Sequence, residues 1–104
     1  MSSLKLKGIF GAMCTPFKDN GETLDLERYY LHIEELIDAG IHGLVLCSGT
    51  GEYAYLNDEE RKILIREGIR HVNGRCPIIA QTTSLSTSDC IMKAKFAEDE
   101  GATA

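Results

Sequence analysis

The pentapeptide Ser48-Gly49-Thr50-Gly51-Glu52 sets two hydroxyls, two glycines and a carboxylate directly after the apolar run Gly43-Leu44-Val45-Leu46. Glycine tolerates positive φ and carries no Cβ, so a guest can come close to the backbone there. Successive N–H groups in such a turn form a concave anion site, and the Thr50 hydroxyl adds a further donor. A small carboxylate suits this chemistry. Phosphate suits it less, because no Lys-Ser or Lys-Thr follows as in a P-loop and the glycine spacing differs from the dinucleotide-binding pattern. The structural alternative is a tight loop in which Thr50 merely caps a backbone group, and the pentapeptide alone leaves both readings open.

Other chemistry-bearing residues offer weaker cases. Asp58-Glu59-Glu60 could be drawn as an acid/base or metal cluster, yet consecutive acids opening a helix ordinarily complement its dipole. Cys14, Cys47, Cys76 and Cys90 contain no C-x-x-C pair and read as reduced, mostly buried small hydrophobes. His32, His42 and His71 fall on elements too different to suggest zinc, so no metal site is expected. Lys5, Lys7, Lys18, Lys62, Lys93 and Lys95 read as solvated surface charge.

The elements that must hold the glycine turn repeat along the chain. Apolar runs begin at Gly8, Gly43 and Pro77, spaced 35 and 34 residues apart, which suits a strand plus a returning helix. A first helix is predicted from Asp25, with Leu26, Tyr29, Tyr30, Ile33, Leu36 and Ile37 on one face and Gly40 as its stop. A second follows Asn57, where Glu60 three residues on completes a capping box, and buries Ile63, Leu64, Ile69 and Val72. A third starts at Ser86 or Thr87, turns Ile91, Ala94 and Ala97 inward and ends at Gly101. Leu44-Val45-Leu46 and Ile78-Ile79-Ala80 are continuous apolar runs, the pattern of strands covered on both faces. Right-handed βα units then give a parallel sheet, open or closed into a barrel. In both, ligands gather at the carboxyl ends of the strands, where residues 48–52 must lie.

The 104 residues suffice for one modest domain, and 43 % hydrophobic with 26 % charged residues predicts a packed core. A net charge of −5 without any basic patch disfavours nucleic acid. Met1 to Lys7 hold no apolar core of a signal peptide and no stretch approaches the ~20 apolar residues of a membrane span, so a soluble, cytoplasmic protein is expected.

In order along the chain come Gly8-x-x-Gly11-Ala12-Met13-Cys14-Thr15-Pro16-Phe17, Gly21, Asp25, Gly40-x-x-Gly43-Leu44 and Gly49-Thr50-Gly51-Glu52. Leu56-x-x-Glu59-Glu60-Arg61, Gly74-Arg75-x-Pro77-Ile78-Ile79-Ala80 and Ala97-Glu98-x-x-Gly101-Ala102 follow. From about Leu6 onward this succession resembles the dihydrodipicolinate synthase and N-acetylneuraminate lyase family. The resemblance implies a (β/α)8 TIM barrel of which residues 1–104 form the N-terminal three βα units, truncated before the fourth strand. It also implies a lysine Schiff base with pyruvate or another 2-oxo acid, formed without metal or organic cofactor, in a homotetramer or dimer. The site residues it implies here are Ser48, Gly49, Thr50 and Gly51 for the substrate carboxylate, with Glu52 holding the turn.

Two departures accompany the resemblance. The synthases usually carry two threonines before the Gly-Glu pair, the first in a hydroxyl relay, whereas position 49 here is glycine. An aldolase or dehydratase of 2-oxo sugar acids, or an N-acetylneuraminate lyase-like enzyme, is therefore an alternative. The Schiff-base lysine and the tyrosine expected beyond Ala104 are absent, so the chain alone is expected to be inactive, with its third strand lacking a partner and its packing loose. A non-catalytic half-barrel that binds a small acid or a protein is the alternative from a different class.

Overall fold

The computed structural model of the chain describes residues 6–104. Lys5 and most of the N-terminal stretch weighed as a signal peptide lie outside them. The order of elements is β1 (Phe10–Ala12), β2 (Phe17–Lys18), β3 (Thr23–Leu24), α1 (Leu26–Asp38), β4 (Gly43–Leu46), α2 (Asp58–Val72), β5 (Ile78–Ala80) and α3 (Thr87–Glu100). Strands β1, β4 and β5 form one parallel sheet in that order, with Phe10 opposite Gly43 and Leu44 opposite Ile78. The helices return the chain between strands, as parallel pairing requires.

The helix starts fall where the sequence places them. Asp25 caps α1 by accepting from Arg28 N at 3.1 Å. Asn57 and Glu60 close the capping box of α2 at 2.8 and 2.9 Å, which satisfies two backbone donors that a helix start otherwise leaves open. Ser86 caps α3. The hairpin β2–β3, turning through Asp19-Asn20-Gly21, was not foreseen.

One face of the sheet meets the helices and forms the dry core. Leu44 and Leu46 are fully buried there with Ile33, Leu64 and Val72, and each such side chain is worth about 1.5–3 kcal/mol of transfer energy. Gly68 lets α2 settle onto the sheet, since a Cβ there would stand 2.8 Å from Leu46 Cδ1 and 2.9 Å from the Tyr29 hydroxyl. That hydroxyl, buried with its ring, donates to Leu64 O at 2.9 Å. Burial together with the nearby Cys47 and Tyr30 pushes the Tyr29 phenol well above its ordinary pKa. Of the positions expected to line α2, Leu64 and Val72 are buried; Ile65 and Gly68 join them, while Ile63 and Ile69 sit half-buried at the margin.

Four expectations are corrected. Ile91 is 49 % exposed: on α3 it lies about a quarter-turn from the stripe of Cys90, Ala94 and Ala97 that faces inward. Lys93 is not solvated, with a side chain only 15 % exposed that holds Asp89 at 2.5 Å and Asp58 at 3.3 Å. The outer edge of β5 is not bare, because Thr103 N and Ala104 N donate to Ile78 O at 2.9 and 3.2 Å and Ala80 N donates to Ala104 O at 3.0 Å. The cysteines are all free, but Cys14 is exposed and only Cys47 is fully buried. Desolvation raises the Cys47 thiol to a pKa of about 11, so it is a core group and not a nucleophile.

Candidate functional site

The turn from Ser48 to Glu52 leaves the carboxyl end of β4, between the loops that follow β1 and β5. Its backbone reverses in an unexpected way. Neither Gly49 nor Gly51 has positive φ; Cys47 (φ 58°) and Glu52 (φ 62°) take the left-handed conformation instead. A non-glycine residue held there costs of order 1 kcal/mol and persists only where its surroundings enforce it.

The two glycines serve different purposes. A Cβ on Gly51 would meet Met13 O at 3.0 Å and Thr15 Oγ1 at 3.3 Å, so its bareness lets the turn press against the loop after β1. Among the described residues a Cβ on Gly49 would meet nothing within 4 Å, and Gly49 and Thr50 are exposed. Gly49 is therefore not required by any close packing among the described residues.

Within the turn, Glu52 N donates to Gly49 O at 3.0 Å and Tyr53 N to Ser48 O at 3.3 Å. The N–H groups of Gly49, Thr50 and Gly51 find no acceptor among the described residues. Three consecutive donors at the end of a parallel strand, two of them on exposed residues, are thus left without a partner among the described residues. The Ser48 hydroxyl does not join them: it is buried and has no partner among the described residues. Glu52 is exposed, and what it lends the turn is its backbone N–H.

One residue outside the pentapeptide bonds it directly, and another braces the loops beside it. Thr15, 8 % exposed, donates from Oγ1 to Gly51 O at 2.6 Å. Arg61, 6 % exposed, donates to Gln81 O at 3.0 Å and Thr83 O at 2.8 Å from the loop after β5. Its guanidinium also stands 5.4 Å from the centre of the Tyr53 ring, which follows the turn directly, and its buried Nε has no partner among the described residues. Arg61 thus ties the third loop to the second. The sequence offered a clue to Arg61, a basic residue at the fourth position of a helix that otherwise opens on acids, and none to the Thr15 bond.

No group of three or more His, Cys, Asp or Glu among the described residues is arranged to hold a metal ion. Asp58 and Asp89 are partnered by Lys93, and Ser84 also donates to Asp89. The Lys93 ammonium and the Ser84 hydroxyl hold the Asp89 carboxyl below its usual range. No helix among the described residues is long and apolar enough to cross a membrane.

Parallel strands joined by helices, with a donor-rich turn at their carboxyl ends, define an α/β protein of the βα-repeat class. Residues 5–104 match the model of the dihydrodipicolinate synthetase family, and the chain belongs to that family. It is 39 % identical over 97 residues to the 4-hydroxy-tetrahydrodipicolinate synthase of Methanoculleus marisnigri, which covers 92 % of this chain and 33 % of that protein. It is 40 % identical over 99 residues to the enzyme of the same name from Nitratidesulfovibrio vulgaris, covering 95 % of the chain and 33 % of the relative. The fold superposes on the chloride-inhibited dihydrodipicolinate synthase of Acinetobacter baumannii complexed with pyruvate with a TM-score of 0.90 and 36 % identity, over 94 % of this chain and 33 % of that one. The synthase of Aquifex aeolicus gives 0.89 at 31 % identity, over 93 % and 32 %. The chain spans about a third of the length of these relatives.

Proposed function

We propose that this chain is the N-terminal part of a lysine Schiff-base lyase built on a (β/α)8 barrel, and that the turn of residues 48–51, through the donors of Gly49, Thr50 and Gly51, grips the carboxylate of pyruvate or a related 2-oxo acid. The observation that carries the proposal is the row of unclaimed N–H groups on Gly49, Thr50 and Gly51, in a chain whose relatives are synthases of one named activity. Each N–H, and the Thr50 hydroxyl, can donate to a carboxylate oxygen, and bonds to a charged acceptor are worth about 1.5–3 kcal/mol apiece. A carboxylate so held fixes the direction in which the adjacent ketone faces. A neutral lysine amine, supplied by the protein beyond Ala104, then attacks that carbon, and loss of water leaves an iminium. Neither metal nor organic cofactor is required by this chemistry. The acid partner, the oligomeric assembly and a cytoplasmic setting belong to the same proposal.

Position 49 favours a second substrate class within the same chemistry. A glycine where synthases usually place a threonine removes bulk as well as a hydroxyl, which suits a bulkier 2-oxo sugar acid.

The test is reductive trapping. Borohydride with pyruvate should leave one pyruvyl adduct on the complete protein that carries this sequence and none on the 104-residue chain. In the complete protein Thr50→Val should weaken pyruvate capture by about 1–3 kcal/mol. A stoichiometric adduct on a lysine of this chain, or unchanged affinity in the variant, refutes the assignment.

A further inference from the structure

The donor row ends at the amide between Gly51 and Glu52, and both polar ends of that amide are committed. Its N–H donates to Gly49 O at 3.0 Å, and its carbonyl accepts from Thr15 Oγ1 at 2.6 Å. Flipping that amide would break both bonds. The hydroxyl that holds the carbonyl end is well anchored: Met13 N donates to Val45 O at 3.0 Å on one side of Thr15, and Pro16 O accepts from Asp25 N at 3.0 Å on the other. Pro16 further restricts Thr15 to extended backbone. The absence of a Cβ on Gly51 lets the two loops lie close, since a Cβ there would stand 3.0 Å from Met13 O. A buried carbonyl without its donor would also bear a desolvation cost, so the bond favours this one orientation strongly.

We propose that Thr15 is the positioning residue of the glycine turn: its hydroxyl locks the Gly51–Glu52 amide and thereby holds the turn in the conformation that leaves the N–H groups of Gly49, Thr50 and Gly51 unpaired. The inference rests on the proposed carboxylate grip for its consequence, but the locking itself is a property of the chain alone. The Thr15 hydroxyl is committed to Gly51 O. It acts through the backbone of Gly51.

Two measurements separate the parts. In the 104-residue chain, amide exchange should show the Glu52 N–H losing at least tenfold protection in Thr15→Val, while Leu44 N–H, bonded to Pro77 O in the sheet, keeps its own. Thr15→Ser, which retains the hydroxyl, should restore Glu52. Loss at Glu52 and Leu44 in parallel would mean general destabilisation and would overturn the proposal, as would no change at Glu52. If Thr15→Val does not fold, Thr15→Ala supplies the same comparison against Thr15→Ser. In the complete protein Thr15→Val should raise the KM for pyruvate about tenfold with kcat within twofold, again restored by Thr15→Ser. An unchanged KM with an altered Glu52 would refute the link from lock to grip. A complete protein that does not take pyruvate at all would instead refute the proposed function and leave the lock standing.

Discussion

The two faces of the sheet differ more than any two elements of the chain. On the face toward the helices, Leu44, Leu46 and Ile78 are buried among Ile33, Leu64 and Val72. On the opposite face the register lines up Ala12, Val45 and Ile79, of which Ala12 is exposed and the others half-buried, and the Phe10 ring lies across Gly43. Both faces are apolar in sequence, yet only one is dry. A strand encodes what it expects to touch on each side, and here the second side asks for more cover than residues 6–104 provide.

The largest effect should come from challenging the dry face. Leu46→Ala removes a side chain with no exposure at the centre of the core and should cost about 2–5 kcal/mol in denaturant unfolding, whereas Val45→Ala on the opposite face should cost well under half as much in this chain. If the two losses match, the faces are not energetically distinct. Measuring Val45→Ala in the complete protein sharpens the contrast, since cover on that face should bring its cost up toward that of Leu46→Ala.

A smaller effect separates the two glycines of the turn. Gly51→Ala forces a methyl against Met13 O and Thr15 Oγ1 and should destabilise by about 1–3 kcal/mol. Gly49→Ala meets open space and should leave the melting temperature nearly unchanged. Equal shifts would contradict the division of labour between close approach at 51 and clearance at 49.

The smallest effect concerns the outer seam, far from both faces. Glu34 on α1 receives both terminal nitrogens of Arg75 at 2.8 Å and faces His71 Nε2 at 3.0 Å, and this company holds its carboxyl below the usual range. A depressed folded pKa stabilises above the unfolded value and stops doing so as pH falls through the folded one. Wild type should therefore exceed Glu34→Gln in melting temperature near neutrality, with the gap closing as acid protonates Glu34. The group is solvent-accessible, so salt should narrow the gap as well. A gap independent of pH would assign the effect to packing.

What the sequence displayed was what neighbours in sequence decide. The capping box of Asn57 and Glu60 needs only a three-residue spacing, and Leu44-Val45-Leu46 announces a buried strand by composition. The hairpin β2–β3 escaped because two-residue strands are too short to show a period. Lys93 escaped because Asp58, one of its partners, comes from another helix. The candidate turn was legible in its residue types, yet its geometry was not: the left-handed conformations fell on Cys47 and Glu52, enforced by contacts such as Thr15 to Gly51 that join residues 36 positions apart.

The docking of Thr103 and Ala104 along β5 has a consequence for how such a sheet comes into being. Strand order in the parallel sheet follows chain order, so each of its pairings closes a loop of about one βα unit. Loop-closure entropy grows only slowly with length, and contacts of short sequence separation form early. Each finished strand thus presents its outer edge to residues just arriving, as β5 does to Thr103 and Ala104. Growth in this architecture is directional, one edge serving as template for the next, and a nascent chain leaving the ribosome can add to it in the order in which it is made.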